Sequence, residues 1–535
     1  MVSSATAAGT GAGPSGGEQP ARRAAARLTR ILTWASAIGI ASSILIMMVA
    51  AAVKHSPGVP PPPWSSGPPL LVIPGRLPVA ATYAALWAAA ILGGGGVIAG
   101  LAALRRGARF PGRLLITCAL IAVAIFAVLP PAGSTDALSY AVFGRIAALG
   151  HNPYVMTPNQ LQLTGDPVGR LAILLWRFRG SVYGPLATAE ERAAAGLGGA
   201  SAQQIVLWLK LWNAIVFAAV AVGLDRMLRS DPARRARAHL LWSLNPLVLW
   251  GIVASGHVQG MATAASFFGL ALLRSRQAPG QPERSGPGLL PALAAGVLVG
   301  VAADLLLYYL ILGLALAWAL RRSAAALLTA VAAMAVVVGV PYLSLGSPSL
   351  HALVSRGGKA NAENFYQLFS TSLRNHLPYS LSLLVVLACA VLAVALLRRL
   401  PDAVPGLPAV QPALAVGAAW LFLWYYQLPW YYVLIIPLLA LYPASRLDYV
   451  VMVALTASQF GQMPGASPFE PPLGWLRTFS HEVWFAWTPL VLICSAVAVI
   501  VLCVSGAWRL GPPLSVGELP GTGSRLLKRS GVTTG

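Results

Sequence analysis

Residues 380–399 read SLSLLVVLACAVLAVALLRR: eighteen residues without a charge, closed by the pair Arg398-Arg399. An uncharged apolar run of about 18 residues is long enough to cross a hydrocarbon core as a helix, and two arginines at its end mark the cytoplasmic side. The same grammar recurs along the chain. Apolar spans are expected near 31–53, 78–104, 113–130, 204–225, 239–254, 257–274, 288–303, 304–320, 323–345, 410–427, 428–445, 447–462 and 484–508. Arginine clusters fall between them at Arg22/Arg23/Arg27/Arg30, Arg105/Arg106/Arg109/Arg113, Arg226/Arg229/Arg234/Arg235/Arg237, Arg274/Arg276 and Arg321/Arg322. Starting from a cytoplasmic N-terminus, strict alternation puts every one of these clusters inside.

Composition agrees. The chain has 535 residues, is 57% apolar and only 10% charged, and its mean hydropathy is +0.71. A soluble domain is about 25% charged, and disordered chains combine high charge with low hydrophobicity, so both classes are excluded. The expectation is an all-α, polytopic integral membrane protein with about 13–14 transmembrane helices. The net charge of +22 follows from the loop arginines, since only Lys54, Lys210, Lys359 and Lys528 are lysines. It reports topology and contact with membrane lipids, not a nucleic-acid ligand.

Residues 1–29 are expected to be a disordered cytoplasmic tail, 30–508 the multi-span domain and 509–535 a cytoplasmic tail. Large extracytoplasmic loops follow at 131–203 and 346–379, with a shorter one at 463–483. The first carries several arginines, which long loops tolerate. Its stretch 136–150 has helical apolar spacing suited to lying along the membrane surface. Gly93–Gly96, inside the second span, is a close-packing or kinking site. The cysteines Cys118, Cys389, Cys494 and Cys503 lie in apolar runs and read as small core residues.

Fifteen acids are few enough to sort by side. Asp136, Asp166, Glu190, Glu191, Asp304, Glu363, Glu470 and Glu482 fall outside or near the outer face. Chemistry there must draw its base from this set or from the histidines. Asp136 follows Pro130-Pro131 within Ser134-Thr135-Asp136 and reads either as a base or as part of an ordinary helix cap. Asp304 sits between two short apolar spans, where a carboxylate is costly and therefore a functional candidate, or at an outer turn.

Several further landmarks occur in order. They are 134–154 (STDALSYAVFGRIAALGHNPY), Ser181-Val182-Tyr183-Gly184-Pro185-Leu186, Leu244-Asn245-Pro246, Gly256-His257-Val258-Gln259-Gly260 and Leu428-Pro429-Trp430-Tyr431-Tyr432. Taken together they resemble the GT-C superfamily of glycosyltransferases, in particular the actinobacterial polyprenol-phosphomannose-dependent α-1,6-mannosyltransferases. The chain departs from that pattern at Gln259, where an acid or Asn is usual, and at Asp304, where a lysine is frequent.

The resemblance implies transfer of a sugar, mannose first among candidates, from a polyprenyl-phosphate donor to a lipid-linked or polysaccharide acceptor. Transfer would take place at the outer face of the plasma membrane, with inversion and with Asp136 as general base. Tyr140, Arg145, Asn152, Tyr154, Tyr183, His257, Gln259, Asp304, Arg356 and Lys359 are the expected substrate-binding residues. His257 and Arg356 are the favoured phosphate contacts, and the tyrosines either stack on sugars or form an interfacial belt. The chemistry calls for no cofactor, zinc or nucleotide, and it is also compatible with a divalent metal. Two other classes fit a many-span chain: a transporter or lipid flippase, disfavoured because no internal repeat is visible, and an inactive envelope-assembly scaffold.

Overall fold

A computed structural model describes residues 18–60, 64, 69–274, 287–354, 379–400, 404, 406–465 and 473–510. Every apolar run expected from hydropathy is helical, and the sheet is a two-stranded parallel pair, Val53–His55 with Ile73–Arg76. Among the described residues, six helices are long and apolar enough to cross a membrane: Arg22–Ala52, Val79–Arg105, Ala202–Met227, Ala324–Leu345, Ser380–Arg399 and Gly474–Ser505. This is an all-α polytopic membrane protein. The run quoted at the outset turns Leu383, Leu384, Leu387, Val391 and Val394 outward. That apolar face has no water-compatible explanation and suits lipid tails.

The remaining runs are shorter than a simple alternation implies. Gly112–Val128, Leu289–Leu305, Leu307–Leu320, Val410–Leu423 and Pro429–Leu441 are apolar helices of 10–17 residues. Breaks have local causes. Leu306 is extended (φ −146°), separating Leu289–Leu305 from the next helical turn, and Leu428 is extended ahead of Pro429. Two spans were expected at 239–254 and 257–274. Instead, Pro232–Ala254 and Gln259–Leu272 meet at a 116° bend across a short break, the form of a broken span or a re-entrant loop. Loosened π-helical turns at His239–Ser243 and Leu249–Ala254 flank Pro246, which cannot donate to the helix ladder. At the N-terminus, residues 18–29 are already helical, so the helix extends into the expected tail.

Gly93–Gly96 is a packing site. A Cβ on Gly96 would stand 2.9 Å from the Ile40 amide nitrogen, and one on Gly93 2.7 Å from Ser43 Oγ, whereas Gly95 faces open space. Ser43 Oγ also donates to Ala89 O at 2.7 Å, so the first two spans touch backbone to backbone. Gly96→Val should therefore destabilise the protein by about 1–3 kcal/mol, while Gly95→Ala should be nearly silent. Thermal unfolding in detergent measures both; equal effects would remove the contact's importance.

The arginine cluster at 226–237 is more than a topology signal. Arg237 and Asp448 are buried and paired twice, Nε to Oδ2 at 2.8 Å and NH2 to Oδ1 at 2.6 Å. Arg237 also donates to the carbonyls of Leu439, Ala440 and Tyr442, which terminate the Ile436–Leu441 helix. Arg235 grips Asp225 through two bonds of 2.6 and 2.9 Å, and His239 reaches the same carboxylate at 2.9 Å.

Candidate functional site

The loop between the Gly112–Val128 helix and the Asp136–Ala148 helix is fixed from several directions. Lys210, fully buried inside the Ala202–Met227 span, donates from Nζ to the carbonyls of Leu129 and Pro130, the second at 3.1 Å. Ala132 N–H donates to Ala254 O at 3.0 Å, and Ser255 Oγ donates back to Ala132 O at 2.8 Å. Gly133 has φ +79° and lies flush against the Trp250 indole, where a side chain would collide; its N–H donates to Gly58 O at 3.0 Å. Ser134 Oγ accepts the Asp136 N–H at 3.1 Å. With the Ser134 hydroxyl on the backbone and no cap bond from Thr135, the Asp136 carboxylate is left to face its neighbours.

The neighbour is His257. It follows the bend of the broken span at Gly256, whose φ is +71°. The buried ring packs on Trp430, centroids 4.0 Å apart, and Nδ1 lies 2.5 Å from Gly251 O. A carbonyl can only accept, so Nδ1 carries the proton and Nε2 is turned to Asp136 Oδ2 at 3.4 Å. The pair stays reachable because the Asp136 side chain is 19% exposed.

The Asp136–Ala148 helix leaves no apolar face free for lipid. Ala137 to Gly144, Ile146 and Ala147 are all buried. Gly144 lies flush on the Glu191 backbone of the Pro185–Gly198 helix, so this helix is internal and Asp136 is held by packing on all sides. Tyr140, one turn after Asp136, meets Tyr183 edge-on at 5.0 Å and 89°. The Tyr154 hydroxyl donates to Tyr183 O at 2.9 Å and sits 3.1 Å from Thr188 Oγ1. Asn152 Oδ1 accepts the Tyr154 N–H at 2.9 Å, setting the Asn-Pro-Tyr turn that carries it.

Arg145 Nε is bonded to Asp166 Oδ2 at 2.9 Å, which anchors the helix to the loop rather than presenting an open cation. Gln259 is buried at the start of its helix, two residues past His257. Asp304 is fully buried, and its Oδ1 accepts the Leu186 N–H at 2.6 Å across 118 residues of chain. It supplies from a distant helix the cap that the Pro185–Gly198 helix lacks locally. Arg356 and Lys359 lie outside the described residues. Among the described residues, no three His, Cys, Asp or Glu converge as a metal site.

Lys210 went unused in the sequence reading, although a lone cation inside an apolar span is a signal in itself. Glu191 carried only a side, not a role. Burial pushes its carboxyl well above the usual range, with Glu190 adding to the shift.

The model of the MptA/B family, alpha-(1→6)-mannopyranosyltransferase N-terminal domain, matches residues 36–345. That is more than half of the chain, and it contains Asp136, His257 and every other described candidate. The chain belongs to this mannosyltransferase family. No curated protein and no solved structure matches it. In this mannosyltransferase the partner that sandwiches His257, Trp430, lies beyond the matched region, so the site is completed by the C-terminal part of the chain.

Proposed function

We propose that this mannosyltransferase moves mannose from a polyprenyl-phosphate donor to a hydroxyl of a lipid-linked or polysaccharide envelope glycan. In this reading the reaction runs at the extracytoplasmic face of the plasma membrane, and the approach of His257 Nε2 to Asp136 carries the proposal. The ring orients the carboxylate and stabilises its charge, while the exposed part of Asp136 takes the proton of an incoming hydroxyl. The acceptor oxygen forms a bond to the anomeric carbon as the bond from that carbon to the phosphate oxygen breaks. The phosphate departs as an anion and needs contacts rather than a proton; Arg356 and Lys359 are assigned to it, because both ring nitrogens of the buried His257, a phosphate contact in the sequence expectation, are already turned to Gly251 and Asp136. A single displacement inverts the centre, so an α product requires a β-linked mannosyl phosphate. Tyr140, Tyr154 and Tyr183 line the sugar side, and a prenyl chain would lie among the apolar helices.

The donor class is the discriminating test. With purified protein in lipid nanodiscs, polyprenyl-phosphate β-mannose should support transfer to an α-(1→6)-linked mannose disaccharide and a nucleotide-activated mannose should not. Turnover with the nucleotide sugar alone would overturn the proposal. A cytoplasmic location of the Ser134–Asp136 loop, read by labelling an introduced cysteine with an impermeant reagent, would also overturn it.

A further inference from the structure

Beneath Tyr183-Gly184-Pro185 four helices meet: Asp136–Ala148, Pro185–Gly198, Leu289–Leu305 and Ala324–Leu345. Gly184 makes the junction possible, since any side chain there would overlap the Asp304 carbonyl oxygen. Three buried oxygens at this junction have no hydrogen-bond partner in the protein: Asp304 Oδ2, Glu191 Oε2 and the Tyr342 hydroxyl. Their residues are 0%, 3% and 4% exposed. Tyr154 sits among them: its hydroxyl bonds Tyr183 O, next to Gly184, and Thr188 Oγ1, one helical turn before Glu191.

An orphaned buried polar group costs about 1–3 kcal/mol, so three gathered at one junction point to a group from outside that satisfies them. The chemistry of that group can be read from theirs. Two carboxyl oxygens and a phenol ask for several O–H donors and an acceptor on a compact frame. An anion is disfavoured, because the nearby arginine, Arg145, is already paired with Asp166. A cation finds no third carboxylate or imidazole among the described residues. Beside the oxygens stand the edge-packed rings of Tyr140 and Tyr183, and aromatic faces with carboxylates suit a polyhydroxylated ring. Tyr140 is also one helical turn from Asp136, so a ring seated here lies beside the carboxylate.

We propose that Asp304, Glu191 and Tyr342 form a pyranose-binding subsite next to Asp136, with Tyr140, Tyr154 and Tyr183 as its walls. This placement rests on the reading of Asp136 as the reacting carboxylate. The ring belongs either to the acceptor or to the donor's mannose, and the measurement separates the two.

The full chain in nanodiscs carrying Asp136→Asn binds without turning over, so equilibrium titration with an α-(1→6)-linked mannose disaccharide reads the acceptor side directly. Adding Tyr342→Phe should weaken that binding about tenfold, the range expected when a ligand hydroxyl loses its partner. The unfolding temperature should stay level or rise, since the change deletes a hydroxyl that no protein group uses. Glu191→Gln should weaken binding similarly. If disaccharide binding is unchanged but the KM for polyprenyl-phosphate mannose rises about tenfold in the otherwise wild-type enzyme, the subsite holds the donor sugar. Unchanged affinity for both, or a loss that merely tracks a lower unfolding temperature, overturns the subsite. Binding is read without turnover, so an active Asp136→Asn enzyme would remove the base and leave this result standing.

Discussion

Asp136→Asn should slow mannosyl transfer about 10²–10⁴-fold, the share of a rate that a positioned general base supplies. The substitution is nearly isosteric, and the features that build the loop do not involve the carboxylate. Ser134 Oγ bonds the backbone N–H of residue 136, Lys210 holds the carbonyls of Leu129 and Pro130, and Ala132 is tied to Ala254 and Ser255. Expression and unfolding temperature should therefore stay close to wild type. An amide cannot accept the hydroxyl proton at neutral pH, so the deficit should fall on kcat rather than on the KM of the lipid-linked donor. Single-turnover kinetics with polyprenyl-phosphate mannose measures it. A variant with wild-type kcat would show that the carboxylate is not the base, whatever its closeness to His257.

Arg237→Met should cost about 3–5 kcal/mol, enough to empty the membrane fraction of folded protein. The effect comes from what is left behind. Asp448 is 2% exposed, and without the guanidinium its carboxylate is buried opposite nothing, while three helix-ending carbonyls lose their donor. Replacing both partners, Arg237→Met with Asp448→Leu, should recover part of the loss, because the stranded charge is gone. Recovery should stop short of wild type, since the carbonyls of Ala440 and Tyr442 still lack the guanidinium donor. Fluorescence-detected size exclusion across a temperature series gives the ranking wild type, double variant, single variant. A single variant as stable as wild type would mean that the pair is only a surface-like contact.

This second prediction rests on a residue that hydropathy and charge placed without explaining. Arg237 belongs to a cluster between apolar runs, and that much is a local property. Its partners lie more than 200 residues onward, and no window of sequence contains both. Asp304 tells the same story. A carboxylate at the end of an apolar run signals that something must hold it, but the holder is the Leu186 amide, brought there by a glycine that lets two backbones touch.

Hydropathy located the long spans, though not the expected count of about 13–14, because membrane insertion is a local partition. Ala202–Met227, Ala324–Leu345 and Ser380–Arg399 lie within two residues of the apolar runs at 204–225, 323–345 and 380–397, since twenty greasy residues have one stable form in lipid. The ordered short motifs likewise pointed to the mannosyltransferase family and to Asp136 as a candidate. Folding in three dimensions was needed for everything that depends on convergence: the bend that carries His257 to Asp136, the burial of the Asp136–Ala148 helix, the pairing that occupies Arg145, and the meeting of Asp304, Glu191 and Tyr342. Those contacts join helices far apart in the chain. Which helix faces which depends on the fit of small residues, breaks and buried polar groups, and no local periodicity encodes that fit.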